Sequence, residues 1–173
     1  MPRYVRPRVS GARVFLTVCL AERGSNLLTR EVARLREAVR VTKAERPFAV
    51  DAWVVMPDHM HCVWTLPVGD RDFSGRVGAI KARFSMGLDA GRRWASHEAR
   101  REKAIWQRRF WERHIRDEKE FAACIRYCWI NPVRHGFVGR PVDWRYSSLH
   151  REIELGRVEP EWSGAVPSGD FGE

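Results

Sequence analysis

Residues 56–64 read MPDHMHCVW and place His59 and His61 one residue apart at the head of an apolar run. On a β-strand alternate side chains share a face, so two imidazoles at this spacing stand close enough to hold one divalent cation between them. The spacing alone also suits structural or surface histidines, and a third ligand has to decide. Further along, YCWIN offers a phenol at Tyr127 and an amide at Asn131. Four residues apart on a helix, these two lie one above the other on one flank. Docked against the histidine strand, the Asn131 amide oxygen would complete a three-ligand set and the Tyr127 hydroxyl would stand beside it. Taken singly, Tyr127 also suits a half-buried aromatic, and Asn131 a helix-terminal residue ahead of Pro132.

Together these groups have a definite chemistry. A phenol loses its proton only near pH 10, so at neutral pH its attack on a phosphodiester needs help. A divalent cation supplies that help by polarising the phosphate and neutralising charge on its oxygens. Two neutral imidazoles and an amide oxygen leave coordination positions open; magnesium or manganese suits such a set, and zinc is the alternative.

To position these groups the chain needs a sheet with a helix docked on it. Residues 13–21, RVFLTVCLA, are rich in β-branched and aromatic types and read as a first strand. A helix follows with Thr29 as N-cap and Leu28, Val32, Leu35 and Val39 at helical spacing, stopped by Pro47. Residues 48–56 and 59–66 read as two strands joined by a tight turn at Pro57 and Asp58, hence an antiparallel hairpin. Along the second of these, His59, His61 and Val63 face one way, while Met60, Cys62 and Trp64 form the apolar face that packs.

Residues 72–88 suit a second helix, with Val77, Ile80 and Phe84 on one face and Gly75 and Gly78 weakening it, and AIWQRRFWER reads as a fourth strand. The order strand, helix, strand, strand, helix, strand is that of an α+β, ferredoxin-like (βαββαβ) antiparallel sheet with its third strand central and helices on one face. An additional C-terminal helix carries the tyrosine. It starts at Asp117, with Glu120 completing a capping box, and its stripe of Phe121, Cys124, Ile125 and Cys128 packs on the sheet. Pro132 is expected to end it by Asn131.

The net charge of +9 favours a polyanionic partner. Only four of the 31 basic residues are lysine and 27 are arginine, whose planar fork suits phosphate and whose plane stacks on bases. From Arg92 to Arg116 the basic residues Arg92, Arg93, Arg100, Arg101, Lys103, Arg108, Arg109, Arg113 and Arg116 alternate with Trp94, Trp106, Phe110 and Trp111. Cations with interleaved rings suit single-stranded nucleic acid. The cysteines at 19, 62, 124 and 128 sit in apolar runs without zinc spacing and read as reduced core residues. No apolar run approaches transmembrane length, so no membrane partner and a cytoplasmic location are expected.

The stretches VVMPDHMHCVWTLP, WQRRFWERHIRDEKEF, YCWINPVRHGFV and DWRYSSLH, in that order, resemble the REP-associated tyrosine transposases, a single-tyrosine branch of the HUH endonucleases. The resemblance implies one catalytic domain over residues 1–150, while the acidic residues with several Gly and Pro over 151–173 read as a flexible tail. It implies His59 and His61 as the histidine pair, Tyr127 as nucleophile and Asn131 at the third-ligand position, where some relatives have glutamine. It further implies cleavage of single-stranded DNA with hairpin or palindromic structure through a 5′-phosphotyrosine, without an organic cofactor. Trp144 and Arg145 match a family segment and suit either a hairpin contact or packing. A monomer working with its own tyrosine is expected, the alternative being a dimer with exchanged helices; a hairpin binder that does not cut is the alternative in function.

Overall fold

The computed structural model describes residues 9–89, 103–165, 167 and 169–172. Strand β1, Arg13–Cys19, is buried along its interior, as its run of β-branched and aromatic residues requires. Helices α1, Leu27–Arg30, and α2, Val32–Glu45, follow. Strands β2, Ala49–Val55, and β3, His59–Thr65, form the expected hairpin, followed by helix α3, Phe73–Ser85, and strand β4, Trp111–His114. The four strands lie in the order β2-β3-β1-β4, all antiparallel, which is the ferredoxin-like arrangement with β3 and β1 central.

Both faces of the sheet are covered. Val14, Leu16 and Val18 of β1 and Met60, Cys62 and Trp64 of β3 pack against Leu35, Val77, Ile80 and Phe84 of α2 and α3. The opposite face carries Phe15, Ala52, Val54 and Val63, and helix α4, Glu118–Arg134, lies on it through Cys124, Tyr127 and Cys128. The histidine face is therefore a packed face too, and the site lies beneath a helix. Burial pushes the Cys62 and Cys128 thiols well up and Cys124 up to about 12, so these cysteines are un-ionised core residues.

Three boundaries differ from the sequence reading. The first helix begins after Asn26, and the Thr29 hydroxyl donates to the Asn26 carbonyl instead of capping. Strand β4 is short and starts at Trp111; Trp106 makes only an isolated bridge to Leu20. The third difference shapes the site: α4 continues through Pro132 to Arg134. Proline removes one helical N–H and crowds the preceding turn. The helix nevertheless closes beyond it, because Phe137 N–H donates to Pro132 O and Gly136 N–H to Val133 O, both at 2.9 Å. This is a Schellman closure, and Gly136 supplies the positive φ of 73° that it needs.

Helix α5, Leu149–Glu154, spans the boundary placed near residue 150. Just before it, residues 146–148 run along the outer edge of β2. Val55 N–H donates to Tyr146 O at 2.9 Å and Ser148 N–H to Trp53 O at 2.8 Å, and the Arg151 guanidinium donates to the carbonyls of Val50 and Asp51, each at 3.0 Å.

Candidate active site

The site is built from β1, β3 and α4. Cross-strand register sets Thr17 opposite His61. The Thr17 hydroxyl donates to the Phe171 carbonyl at 2.7 Å and lies 2.9 Å from His61 Nδ1. A hydroxyl has one proton to give, so at His61 it accepts; His61 carries its proton on Nδ1 and a lone pair on Nε2. His59 is held in the same tautomer, its Nδ1–H donating to Asp58 Oδ1 at 2.6 Å. Burial pushes the Asp58 carboxyl up, yet His59, the Gly24 amide and Arg23 hold it below its ordinary value. Burial also outweighs Asp58 in keeping His59 below its ordinary value, so the ring is neutral at neutral pH.

The histidine rings lie 5.0 Å apart. His59 is 3% exposed, and its Nε2 is buried without a hydrogen-bond partner among the described residues. A neutral imidazole whose Nδ1–H is held by a carboxylate and whose other nitrogen is unsatisfied is prepared as a metal ligand. Helix α4 brings Tyr127 to 5.3 Å from the His61 ring, and His135, directly after the helix, lies 5.3 Å from His59. Asn131, four residues from each of Tyr127 and His135 in sequence, is fully buried. Among the described residues no three His, Cys, Asp or Glu side chains form a metal cluster. Two imidazole nitrogens and an amide oxygen fit a divalent cation.

Tyr127 is 1% exposed. The Arg134 guanidinium donates to its hydroxyl, and Phe171 lies flat on its ring. Gly172 beside it, at φ 72°, is packed so closely on Trp111 that an added Cβ would meet the indole at 2.3 Å, and Arg113 donates to the Asp170 carbonyl. The segment around Phe171 is thus held on the tyrosine from three sides.

Residues 9–128 match the family model described as IS200-like transposase. The chain belongs to that family. Within it, this IS200-like transposase is 42% identical over 173 residues to the REP-associated tyrosine transposase of Escherichia coli (strain K12), covering 100% of this chain and 98% of that protein. It is 36% identical over 166 residues to a Haemophilus influenzae (strain ATCC 51907 / DSM 11121 / KW20 / Rd) protein with the same family description, covering 95% and 94%. A solved REP-associated tyrosine transposase bound to a REP hairpin superposes with a TM-score of 0.87 at 42% identity, covering 100% of this chain and 98% of that one. No helix among the described residues is long and apolar enough to cross a membrane.

The cations named from the sequence take different places in this IS200-like transposase. Arg92, Arg93, Arg100 and Arg101 lie outside the described residues. Lys103 donates to the carbonyls of Ser85 and Leu88 at the end of α3. Arg113 pairs with Glu120 at 2.8 Å, and Arg116 with the same carboxylate at 3.3 Å. Arg108 and Arg109 are exposed. Arg145 is exposed over the Tyr146 ring, and Trp144 is anchored by its indole N–H on Val55 O at 3.0 Å. Sequence reasoning missed Thr17, Asp58, Arg134, His135 and Phe171. Asp58 had a signal in its place directly before His59; Arg134 and His135 were hidden by ending the helix at Asn131.

Proposed function

We propose that this chain is a metal-dependent single-strand DNA endonuclease and strand transferase acting on hairpin-forming repeat DNA through a 5′-phosphotyrosine at Tyr127. The observation that carries this reading is the placement of Tyr127 against His61, with a guanidinium on its hydroxyl. The hairpin bound by the 42% identical relative supports the substrate class.

A divalent cation held by His59, His61 and Asn131, magnesium or manganese by its ligands, would neutralise charge on the scissile phosphate when bound. Asp58 and Thr17 fix both rings in the tautomer that presents Nε2. Arg134 stands where negative charge collects on the phenol oxygen as its proton leaves to water. The Tyr127 oxygen forms the new bond to phosphorus, the bond to the 3′-oxygen breaks, and that oxygen takes a proton from water to depart as a free 3′-hydroxyl. Because the phosphodiester is exchanged rather than hydrolysed, a 3′-hydroxyl can attack it later and restore both the strand and the tyrosine.

A hairpin binder that does not cut is favoured by one observation, the 1% exposure of Tyr127 beneath Phe171. Incubation with end-labelled hairpin DNA and manganese or magnesium separates the two. A denaturation-resistant protein–DNA adduct that disappears in Tyr127→Phe supports the nuclease; binding with neither adduct nor cleavage supports the binder. Cleavage that survives Tyr127→Phe would instead require attack by water.

A further inference from the structure

Contacts cross the candidate site in one direction. The Tyr127 ring lies 5.3 Å from His61, the His61 ring 5.0 Å from His59, His59 Nδ1 2.6 Å from Asp58 Oδ1, and Asp58 Oδ2 3.3 Å from Arg23 Nε. Arg23 thus stands across the histidine pair from Tyr127 and from the Arg134 guanidinium on its hydroxyl. The main chain fixes its place: Gly24, at φ 81°, donates its N–H to Asp58 Oδ2 at 2.7 Å, which sets the loop between β1 and α1 beside His59. The Arg23 side chain is nevertheless 47% exposed, against 13% for Asp58 and 3% for His59. Holding Asp58 does not account for it. That carboxylate already accepts short hydrogen bonds from His59 and Gly24, the Arg23 contact is the longest of the three, and an ion pair so open to water contributes little stability. Among the described residues its only other partner is the Cys19 thiol, a weak acceptor. A guanidinium carries five N–H donors, so most of them remain for a ligand.

We propose that Arg23 is a catalytic residue for the leaving group: its guanidinium donates to the 3′-oxygen as that oxygen parts from phosphorus, and holds the 3′-hydroxyl for the reverse attack. The proposal rests on the strand-cleaving reading above and adds which group receives the departing oxygen. In phosphoryl transfer the entering and leaving oxygens lie roughly in line on opposite sides of phosphorus. With the Tyr127 oxygen entering from the His61 side, the leaving oxygen lies toward His59 and Arg23. The electron pair of the broken bond passes to that oxygen, and the N–H donors of a cation already in place stabilise its charge. Arginine gives up no proton, so the oxygen is still protonated by water. Entering and leaving oxygens then each face one guanidinium, Arg134 and Arg23, and in rejoining the two exchange tasks.

The test is single-turnover adduct formation by the full chain on hairpin DNA, with either the ordinary linkage or a bridging 3′-sulfur at the position the wild-type protein cuts. A thiol ionises near pH 8.5, so a departing thiolate is a weak base that needs little help from a cation. Arg23→Gln should slow the ordinary linkage about 10²-fold, the effect of removing one donor from a developing oxyanion, and slow the sulfur linkage at least about tenfold less. Arg134→Gln, which acts on the entering oxygen, should slow both linkages alike. Manganese affinity of Arg23→Gln should stay within about a factor of two of wild type in calorimetric titration, whereas a displaced Asp58 would cost about 10–100-fold. Equal slowing of both linkages by Arg23→Gln, no slowing of either, or loss of manganese affinity overturns the role of Arg23. A wild-type protein that forms no adduct on the ordinary linkage instead overturns the cleaving reading itself.

Discussion

The ring of Phe171 lies on the ring of Tyr127 with centroids 3.7 Å apart and planes 9° from parallel. A residue 44 positions beyond the tyrosine in sequence thereby covers the proposed nucleophile. The same residue's carbonyl accepts the Thr17 hydroxyl, so the cover is also tied to the residue that orients His61.

Uncovering the tyrosine requires breaking that stack and that hydrogen bond, together worth about 1–3 kcal/mol. Phe171→Ala, or truncation after residue 165, should accelerate single-turnover adduct formation about tenfold. Affinity for a blunt hairpin should stay within a factor of two, measured by anisotropy. An unchanged adduct rate would show that the contact does not gate Tyr127.

Asp58 and Thr17 would act on a cation at the proposed site only through the histidines, and loss of such partners costs about 10–100-fold in metal affinity. Asp58→Asn and Thr17→Val should each weaken manganese binding by that order in calorimetric titration. His59→Ala with His61→Ala should abolish binding and cleavage while sparing hairpin affinity.

Arg134 touches the phenol oxygen from two helical turns away. If its charge assists the attacking oxygen, Arg134→Gln should lower the cleavage rate about 10²-fold, the usual effect of removing one such donor. Hairpin affinity should fall by much less, and Arg134→Lys should recover part of the rate.

Asp70 and the buried Arg76 form a pair in which the guanidinium holds the carboxyl down to about 2. Because the folded value is depressed, the stabilisation is complete above the ordinary carboxylate value of about 4 and is lost as pH falls towards 2. Thermal melts of Asp70→Asn should lie below wild type at pH 6 to 7, with the gap closing between pH 4 and pH 2. A gap that stayed constant with pH would assign the effect to something other than this charge.

The alternation of residues 59–64 and the one-turn spacing of Tyr127 and Asn131 were legible because periodicity is a local property of the chain. The strand order was legible for a similar reason, since the succession of elements leaves few ways to cover both faces of the sheet. What the sequence hid depends on closure over distance. The Schellman bonds at Gly136 outweigh the local signal of Pro132, and only with that extra turn do Arg134 and His135 reach the site. Thr17 is one polar residue in an apolar strand, and only register with β3 shows that it serves His61. Phe171 lies in a stretch whose composition resembles a linker, and nothing local connects it with Tyr127. The expected fourth strand began too early because alternating rings and arginines imitate a strand where the chain makes a single bridge.

The outer edge of β2 has a consequence for how these molecules meet. An edge strand ordinarily exposes a ladder of free N–H and C=O groups to which any passing extended chain can add. Here Trp53 and Val55 are taken by residues 144–148, and the carbonyls at the Val50–Asp51 bulge by Arg151. The sheet is finished on that side by its own polypeptide. An extended segment of a second copy finds no open ladder along these residues to which it could add.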